Sequence, residues 1–591
     1  MCGILNVISK RGRELDLSAC QRALSLLTWR GPDLCTFETH KGKVFFGQTV
    51  LSITGDALGN VGENLKSVSG RFNLGFNGEI YNYRELTDRW LKDKLGPCNH
   101  GTDTEVLANL HEVLPLGDIP PLLDGMFTYS LLDTFEDALS ICRDVQGEKT
   151  LYIYEDQDLI IISSLIGAIH ALVPHIPLDV QALRDYFRTR HFMLIERTAY
   201  QGIRQLLPGT LETLNLKTMT WQHVRMQKIS QWIDQTRMDE YAGRAIDSLT
   251  DELDALMKDC LLQMIPDERK YASVVSGGVD SSLISHYLVT HAHPEVLVAV
   301  NHVGKDRISD ELSGFERVLG RDIKILHVDQ GTYSSEIERC QRICGSPLLS
   351  HSFIGQAIQS SFVRTAGCRV LFGGDGGDEL FGGYPAYVNI PFANGKFSPS
   401  PYTACYDSPI EFIEDDPSAL QRDLSNAWKE SCAAYGMVED PVDQTALAMM
   451  YCDLTYQLPS VGLRGDDLMS MMWSIETRTV LLRKPIVKFA LNLPIFAKAD
   501  RRQETMPLLR AKPLLKRLFL RYYPEDLLVE KQGFAGFPNE SGLYIGNPMD
   551  YMALDLLGME KSHLANALSD RATAWKLINL EYFLRWNANA T

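Results

Sequence analysis

Several absences narrow what this sequence can be. None of its 12 cysteines forms a CxxC pair and their spacing is uneven, so neither a zinc module nor a disulfide framework is indicated. Such a set suits a reducing compartment, and a cytoplasmic location is expected. No apolar run approaches the roughly 20 residues that cross a bilayer. The most apolar stretch, Leu159 to Val173, is shorter and carries serines and a histidine; it reads as a buried strand followed by a helix. The start, MCGILNVISKRG, has no long apolar region behind a basic head and does not read as a secretory signal. A basic surplus is missing too. The 75 acidic residues against 58 basic ones give a net charge of -17, which repels polyanions and argues against a nucleic-acid or anionic-membrane partner. Small charged metabolites remain as ligands. No internal repeat or low-complexity segment is evident.

A chain of 591 residues is too long for one core, and length alone suggests two to four domains. The first two hundred residues hold short β-rich runs (KVFFGQTVLSI, FNLGFNGEIYNY, MFTYSLLD, LYIYEDQDLIIISS) with turn residues between them, the signature of strands in packed sheets. From Asp239 the pattern changes. Ile246, Leu249, Leu253, Leu256 and Leu261 recur at helical spacing until Pro266 ends it. Beyond this point strand-like runs at Ser273, Val296, Ile323 and Arg369 alternate with helical stretches, which implies a parallel sheet. The division expected is 1–215, a linker at 216–240, and 241–591.

In a parallel sheet, ligands sit where loops leave the carboxyl ends of the strands. Two such loops stand out. Val275-Ser276-Gly277-Gly278-Val279-Asp280-Ser281-Ser282 follows a strand and opens a helix. Its glycines let backbone amides converge on an anion, the helix start adds positive dipole, and Ser281 and Ser282 supply hydroxyls. It lacks the lysine of a Walker A loop, so pyrophosphate suits it better than a γ-phosphate site does. The second loop, Gly373-Gly374-Asp375-Gly376-Gly377-Asp378-Glu379-Leu380-Phe381-Gly382-Gly383-Tyr384, has six glycines in twelve positions, which no ordinary helix tolerates. Magnesium is usually held by one or two carboxylates plus substrate phosphates. Asp280 and Asp378 are the candidate ligands, with Asp375 beside them.

These motifs resemble the asparagine synthetase family. SGGVDSS is similar to the pyrophosphatase loop of enzymes that adenylate a substrate, and GDGGDELFGGY to its partner loop. MCGI, RGPD at Arg30, NGEIYN at Asn77 and TDTEV at Thr102 resemble the class II glutaminase half. DLMSMMWSIETR at Asp467 and EKQGF at Glu530 resemble the C-terminal stretch. The resemblance runs through nearly the whole chain in the family's order. It implies an N-terminal nucleophile glutaminase of packed antiparallel sheets, an α/β ATP-pyrophosphatase (synthetase) domain with a helical C-terminal part, and an ammonia tunnel between them. ATP and Mg2+ are the implied cofactors, glutamine and a small carboxylate the substrates. A homodimer stays open.

The resemblance also implies roles. Once Met1 is removed, Cys2 carries both a nucleophilic thiol and an α-amine whose ordinary pKa of about 7.7–8.0 suits a base near neutral pH. The Asn77 side chain and Gly78 backbone amide would stabilise the oxyanion. Leu51, Glu79 and Asp103 would bind glutamine, the two acids pairing with its α-ammonium. Val275, Ser276, Gly277, Gly278, Asp280, Ser281, Ser282, Gly373 and Gly374 would bind ATP. Lys512, after MPLLRA, would offset charge on the leaving pyrophosphate, and Asp375 joins the catalytic set.

Three departures from the family stand out. Where it reads HxRLSI, with an arginine on the glutamine α-carboxylate, this chain reads Gln48-Thr49-Val50-Leu51-Ser52-Ile53. Loss of that charge-assisted bond costs about 1.5–3 kcal/mol, ten- to a hundredfold in affinity, unless Arg30 or Arg71 substitutes. An acidic pair expected before Pro347 is Gly345-Ser346, and the acid expected after TVLL is Arg483. These last two changes lie near the acceptor side; they mark an acceptor other than aspartate, such as a sugar uronate or a natural-product acid, or equally they are neutral drift. Two rival readings remain: a synthetase using ammonia or an amine with a vestigial glutaminase, favoured by Val50, and a non-catalytic family member. Retention of Cys2, Asn77, Gly78, Glu79 and Asp103 speaks against the first; Asp280, Asp378 and Lys512 speak against the second.

Overall fold

The computed structural model describes residues 2–54, 65–96, 101–189, 196–302, 308–390, 392–393, 396–397, 418–502, 506–529 and 543–590. The EKQGF motif at Glu530 lies outside the described residues. The first half contributes β1 (Cys2–Ser9), β2 (Leu34–His40), β3 (Val44–Val50), β4 (Phe72–Ile80), β5 (Gly125–Asp133), β6 (Ala138–Arg143), β7 (Tyr152–Glu155), β8 (Leu159–Ser163), β9 (Ile203–Gln205), β10 (Thr210–Asn215) and β11 (Thr220–Arg225). They form two sheets, ordered β2-β3-β1-β8-β7-β9 and β11-β10-β6-β5-β4, in which every pairing is antiparallel. Ile4, Ile8, Phe46, Leu139, Ile141 and Ile160 fill one core of this half. Another packs the helix Asp103–Val113 against β4 and β5. β1, β3 and β4 are buried at every position, on both faces. The stretch 216–240, read from sequence as a linker, carries β11 paired with β10, then the helix Gln235–Ala242.

The second half is built on β12 (Tyr271–Val274), β13 (Val296–His302), β14 (Ile323–Val328), β15 (Val370–Gly373) and, after the short pair β16 (Phe392–Ala393) and β17 (Lys396–Phe397), β18 (Glu476–Thr479). The five-stranded sheet β14-β13-β12-β15-β18 is parallel throughout. The four runs expected from sequence are β12 to β15; β18, the strand ETRT, was hidden by its polarity. Helices dominate the chain beyond β18, ending in Arg571–Ala590. No helix among the described residues is long and apolar enough to cross a membrane.

The halves share one interior. Leu51, Ile53, Tyr81 and Met126 belong to the same apolar cluster as Leu283, Phe372 and Leu482. Buried charges also cross the seam. Arg30 donates to both carboxylate oxygens of Asp467, at 2.8 and 3.1 Å, and neither side chain is exposed. Arg483 donates to Asp124 at 2.7 Å, and Gln146 Nε2 to the Leu482 carbonyl at 2.7 Å.

Candidate functional site

Two groups of side chains are gathered, one in each half. In the first, β1 opens at Cys2, paired in register with Val50 of β3. The Cys2 backbone nitrogen, which becomes the α-amine once Met1 is gone, donates to Asn77 Oδ1 at 3.0 Å. Asn77 stands on β4, fully buried, and its Nδ2 has no hydrogen-bond partner among the described residues. A buried donor left unpaired costs about 1–3 kcal/mol, and one beside a nucleophile is what an oxyanion needs. At Gly78 a Cβ would fall on the Met126 carbonyl of β5, so only glycine lets the strands approach there. Gly31 of RGPD likewise lies against the Val50 backbone.

Glu79 and Asp103 lie behind these groups. Thr54 donates to Glu79, whose other oxygen is 3.3 Å from Arg478 Nη2. Asp103, at the start of its helix, accepts from the backbone N–H of Ile80 at 3.0 Å and of Thr104 at 2.8 Å. Burial, then the Asp103 charge, pushes Glu79 up to about 8. Burial outweighs the backbone donors at Asp103 and takes it to about 6. Two buried acids that resist ionisation make a receptor for a cation such as an α-ammonium. Leu51 is buried just beyond β3, packed into the shared core.

Both arginines considered as replacements for the one missing at Val50 are paired with carboxylates. Arg30 is held by Asp467 and donates its Nε to the Cys2 carbonyl at 3.1 Å. Arg71 grips Asp133 through Nε at 3.0 Å and Nη2 at 2.6 Å.

In the second half, β12 runs into the loop Val275–Gly278 and the helix Val279–His291. Val275 still donates to the Val298 carbonyl at 2.9 Å. Gly277 has a φ of +78°, which turns the chain. The Ser276 and Ser281 hydroxyls are 2.8 Å apart and the Ser276 N–H donates to Ser281 Oγ at 3.1 Å. Ser282 is fully buried, so its hydroxyl is enclosed rather than presented to the loop. The loop after β15 packs directly on this one: a Cβ at Gly374 would sit 3.0 Å from Asp280 Cβ, and one at Gly377 only 2.6 Å from its Cγ.

Lys512 joins the two loops. Its Nζ is paired with Asp280 and is 2.6 Å from Asp378 Oδ1. It is buried, not the solvated helix lysine its type usually makes. Although burial opposes the charge, the two carboxylates raise its pKa above the usual lysine value. Its φ of +52° is left-handed, rare for a non-glycine residue, and is maintained by a 3.1 Å bond from its N–H to the Lys498 carbonyl. At Gly383 any Cβ would overlap the Asp378 carboxylate and the Lys512 stem. Asp280 and Asp378 thus converge on one point beside a helix start. Among the described residues no group of three His, Cys, Asp or Glu could hold a metal ion. Two carboxylates fit magnesium if its remaining ligands are phosphate oxygens and water. Asp375 is hydrogen-bonded to Asp466 and lies within range of the Asp280 and Asp378 charges; burial raises both carboxyls, Asp466 the more strongly.

The motif DLMSMMWSIETR holds groups whose importance the sequence did not single out. Arg478 ties Glu79 to Glu476, donating to the latter at 2.6 Å; just ahead of the motif, Asp466 accepts from Gln356 at 2.6 Å. Two departures assigned to the acceptor side have partners of their own. Arg483 is the partner of Asp124 across the seam. Gly345 takes a φ of +59° against Ile166, and Ser346 is fully buried, within 3.3 Å of Arg464.

Known proteins match both halves. Residues 1–225 match the glutamine amidotransferase domain and residues 252–584 match asparagine synthase. The glutamine-hydrolyzing asparagine synthetase 1 of Bacillus subtilis (strain 168) is 26% identical over 664 aligned residues, covering 100% of this chain and 96% of that protein. The bovine (Bos taurus) asparagine synthetase is 23% identical over 66% of this chain and 68% of its own length. A relative in Mycobacterium tuberculosis (strain ATCC 25618 / H37Rv), 25% identical over 66% of this chain, is matched over only 61% of its length. Since the amidotransferase match spans the sheets that bring Cys2 to Asn77, and the synthase match spans the loops that meet at Lys512, the chain belongs to the asparagine synthase family of glutamine amidotransferases.

Proposed function

We propose that this protein hydrolyses glutamine at Cys2 and transfers the ammonia to a carboxylate adenylated by ATP, releasing AMP and pyrophosphate. The acceptor is aspartate or another small carboxylate such as a sugar uronate or a natural-product acid. One observation carries the reading: Lys512 sits between Asp280 and Asp378 at the start of the helix Val279–His291, the place where a leaving pyrophosphate gains most from fixed positive charge.

In the first reaction the Cys2 thiol gives its proton to its own α-amine and attacks the glutamine amide carbon. The Asn77 Nδ2 and the Gly78 N–H receive the negative oxygen, and Glu79 and Asp103 hold the α-ammonium. The amine returns the proton to the departing nitrogen as ammonia leaves; water then releases glutamate from the thioester. In the second, the acceptor carboxylate attacks the α-phosphorus of ATP. The amides of Ser276 to Gly278 hold the phosphates and Lys512 offsets the charge of the pyrophosphate. Magnesium, bound by Asp280 and Asp378 with the phosphates, would neutralise further charge there. Ammonia attacks the acyl carbon of the mixed anhydride, AMP leaves, and Asp375 takes a proton from the attacking nitrogen. Gly373 and Gly374 leave room for the nucleotide.

A screen of carboxylates with ATP, magnesium and either glutamine or ammonium chloride tests this. An amide product by mass spectrometry with equimolar AMP and pyrophosphate is expected; stoichiometric ADP would overturn it. Product with ammonium but none with glutamine would favour the second reading, a vestigial glutaminase, for which the loss of arginine at Val50 is the specific observation.

A further inference from the structure

The glutamine pocket around Cys2 has two acids for an α-ammonium and no evident cation for the α-carboxylate. The segment after β3 runs from Val50, opposite Cys2, to Thr54, which donates to Glu79. It therefore forms one wall between the nucleophile and the acids. The opposite wall is the stretch after β4, Ile80 to Arg84, with Asp103 bonded to its start. A short loop of the synthetase half, Pro266 to Lys270 ahead of β12, reaches both walls. Asp267 pairs with Arg84 at 3.0 Å, and Arg269 Nε donates to the Ser52 carbonyl at 3.2 Å.

Each of the other nearby guanidiniums already faces a carboxylate: Arg30 faces Asp467, Arg71 Asp133, Arg478 Glu476 and Glu79, and Arg369 Asp33 at 3.3 Å, although the buried Nη1 of Arg30 and of Arg369 and the Nη2 of Arg478 have no hydrogen-bond partner among the described residues. Arg269 uses only its Nε; among the described residues no carboxylate pairs with its two terminal nitrogens, and the side chain is half-buried. A guanidinium anchored through Nε presents two coplanar donors, the geometry that a carboxylate accepts bidentately.

We propose that Arg269 binds the α-carboxylate of glutamine in place of the arginine missing at Val50, so that the glutaminase site is completed by a residue from the synthetase half. This rests on glutamine being the nitrogen donor. It is a binding role made equally in ground and transition states, so it acts on KM rather than on kcat.

The test measures glutamate release by the full-length protein and its Arg269→Ala and Arg269→Lys variants, with ammonia-driven amidation as a check of folding. Arg269→Ala is expected to raise the glutamine KM about ten- to a hundredfold, with kcat within about threefold and partial recovery in Arg269→Lys. Glutamine α-amide, which lacks the negative charge, separates recognition from architecture. The wild type should prefer glutamine to it by a similar factor, and Arg269→Ala should lose that preference. An unchanged glutamine KM, or equal losses on both substrates, overturns the assignment of Arg269 while leaving glutamine as donor. If the wild type releases no glutamate at all, the donor reading fails and this inference with it.

Discussion

The two sites solve opposite electrostatic problems with opposite architecture. In the first half the proposed reacting groups stand on strands: Cys2 on β1, paired with Val50 of β3, and Asn77 and Gly78 on β4, paired with β5. Its acids are buried, Glu79 near Arg478, and their carboxyls are pushed up to about 8 and about 6. In the second half the groups stand on loops beyond strand ends, packed closely only because glycines leave no side chain between them. There the charge is partly offset, one lysine against two aspartates. The first site is preorganised in shape and waits for a charged substrate. The second holds its lysine on its own carboxylates and must exchange Lys512's partners when nucleotide arrives. Fixed strands suit a nucleophile that needs an oxyanion hole to within a fraction of an ångström; loops suit phosphates, which are recognised by many convergent amides.

The sharpest way to separate the sites is Cys2→Ala, which should abolish glutamine-driven amidation and leave ammonia-driven amidation near wild type. Failure with ammonium chloride in a folded variant would show that the sites are not independent. Next in size, Lys512→Met should slow amidation from either nitrogen source by about 10²–10³, the loss typical of a single electrostatic stabiliser, while glutamate release persists in a glutaminase assay. Loss of both activities would mean that Lys512 acts on structure.

The seam between the halves is tested by Arg483→Ala, which strands the Asp124 carboxylate in the interior. Removing one partner of a buried pair costs about 3–5 kcal/mol, read as a lower urea midpoint. A midpoint within error of wild type would make this pair dispensable. A smaller effect is expected from adding Val50→Arg to Arg269→Ala. The new guanidinium should recover about tenfold of the lost glutamine KM with little change in kcat. In the wild-type background the gain should be slight, because the carboxylate already has a partner.

The smallest effect concerns pH. Burial pushes Glu79, Glu148 and Glu379 each up to about 8 from an ordinary 4.5. At pH 6 they are protonated when folded and largely ionised when unfolded, so the unfolded chain binds fewer protons and stability falls as pH rises from about 4.5 to 8. Ligand-free protein should melt at a lower temperature at pH 8.5 than at pH 6. Glu79→Gln should flatten the slope, and an equal slope in both proteins would remove Glu79 from the cause.

Legibility differed between the regions. The phosphate loop could be read because its chemistry is local: glycines, an acid and hydroxyls within eight residues, between an apolar strand and a helix. Cys2 could be read because an N-terminal nucleophile must lie at the start. The partners of Arg483 and Ser346 could not be read, since they are Asp124 and Arg464, which are distant in sequence. Strand β18 escaped notice because its alternation of Glu476 and Arg478 with threonines looks solvent-facing, whereas the charges neutralise each other and Glu79 in the interior.

The two-part plan, the alternation that makes the second sheet parallel, and the residue types at each reacting position are all written in the chain itself, because they depend on short-range periodicity and on chemistry that tolerates few substitutes. Which charges meet was settled by packing in three dimensions. It placed Lys512 between two loops more than a hundred residues upstream of it, spent Arg30 and Arg71 on Asp467 and Asp133, and brought Arg269 to the wall beside Val50. Coulomb pairing depends on distance in space, and in a chain of this length that distance is set by how the sheets and helices pack.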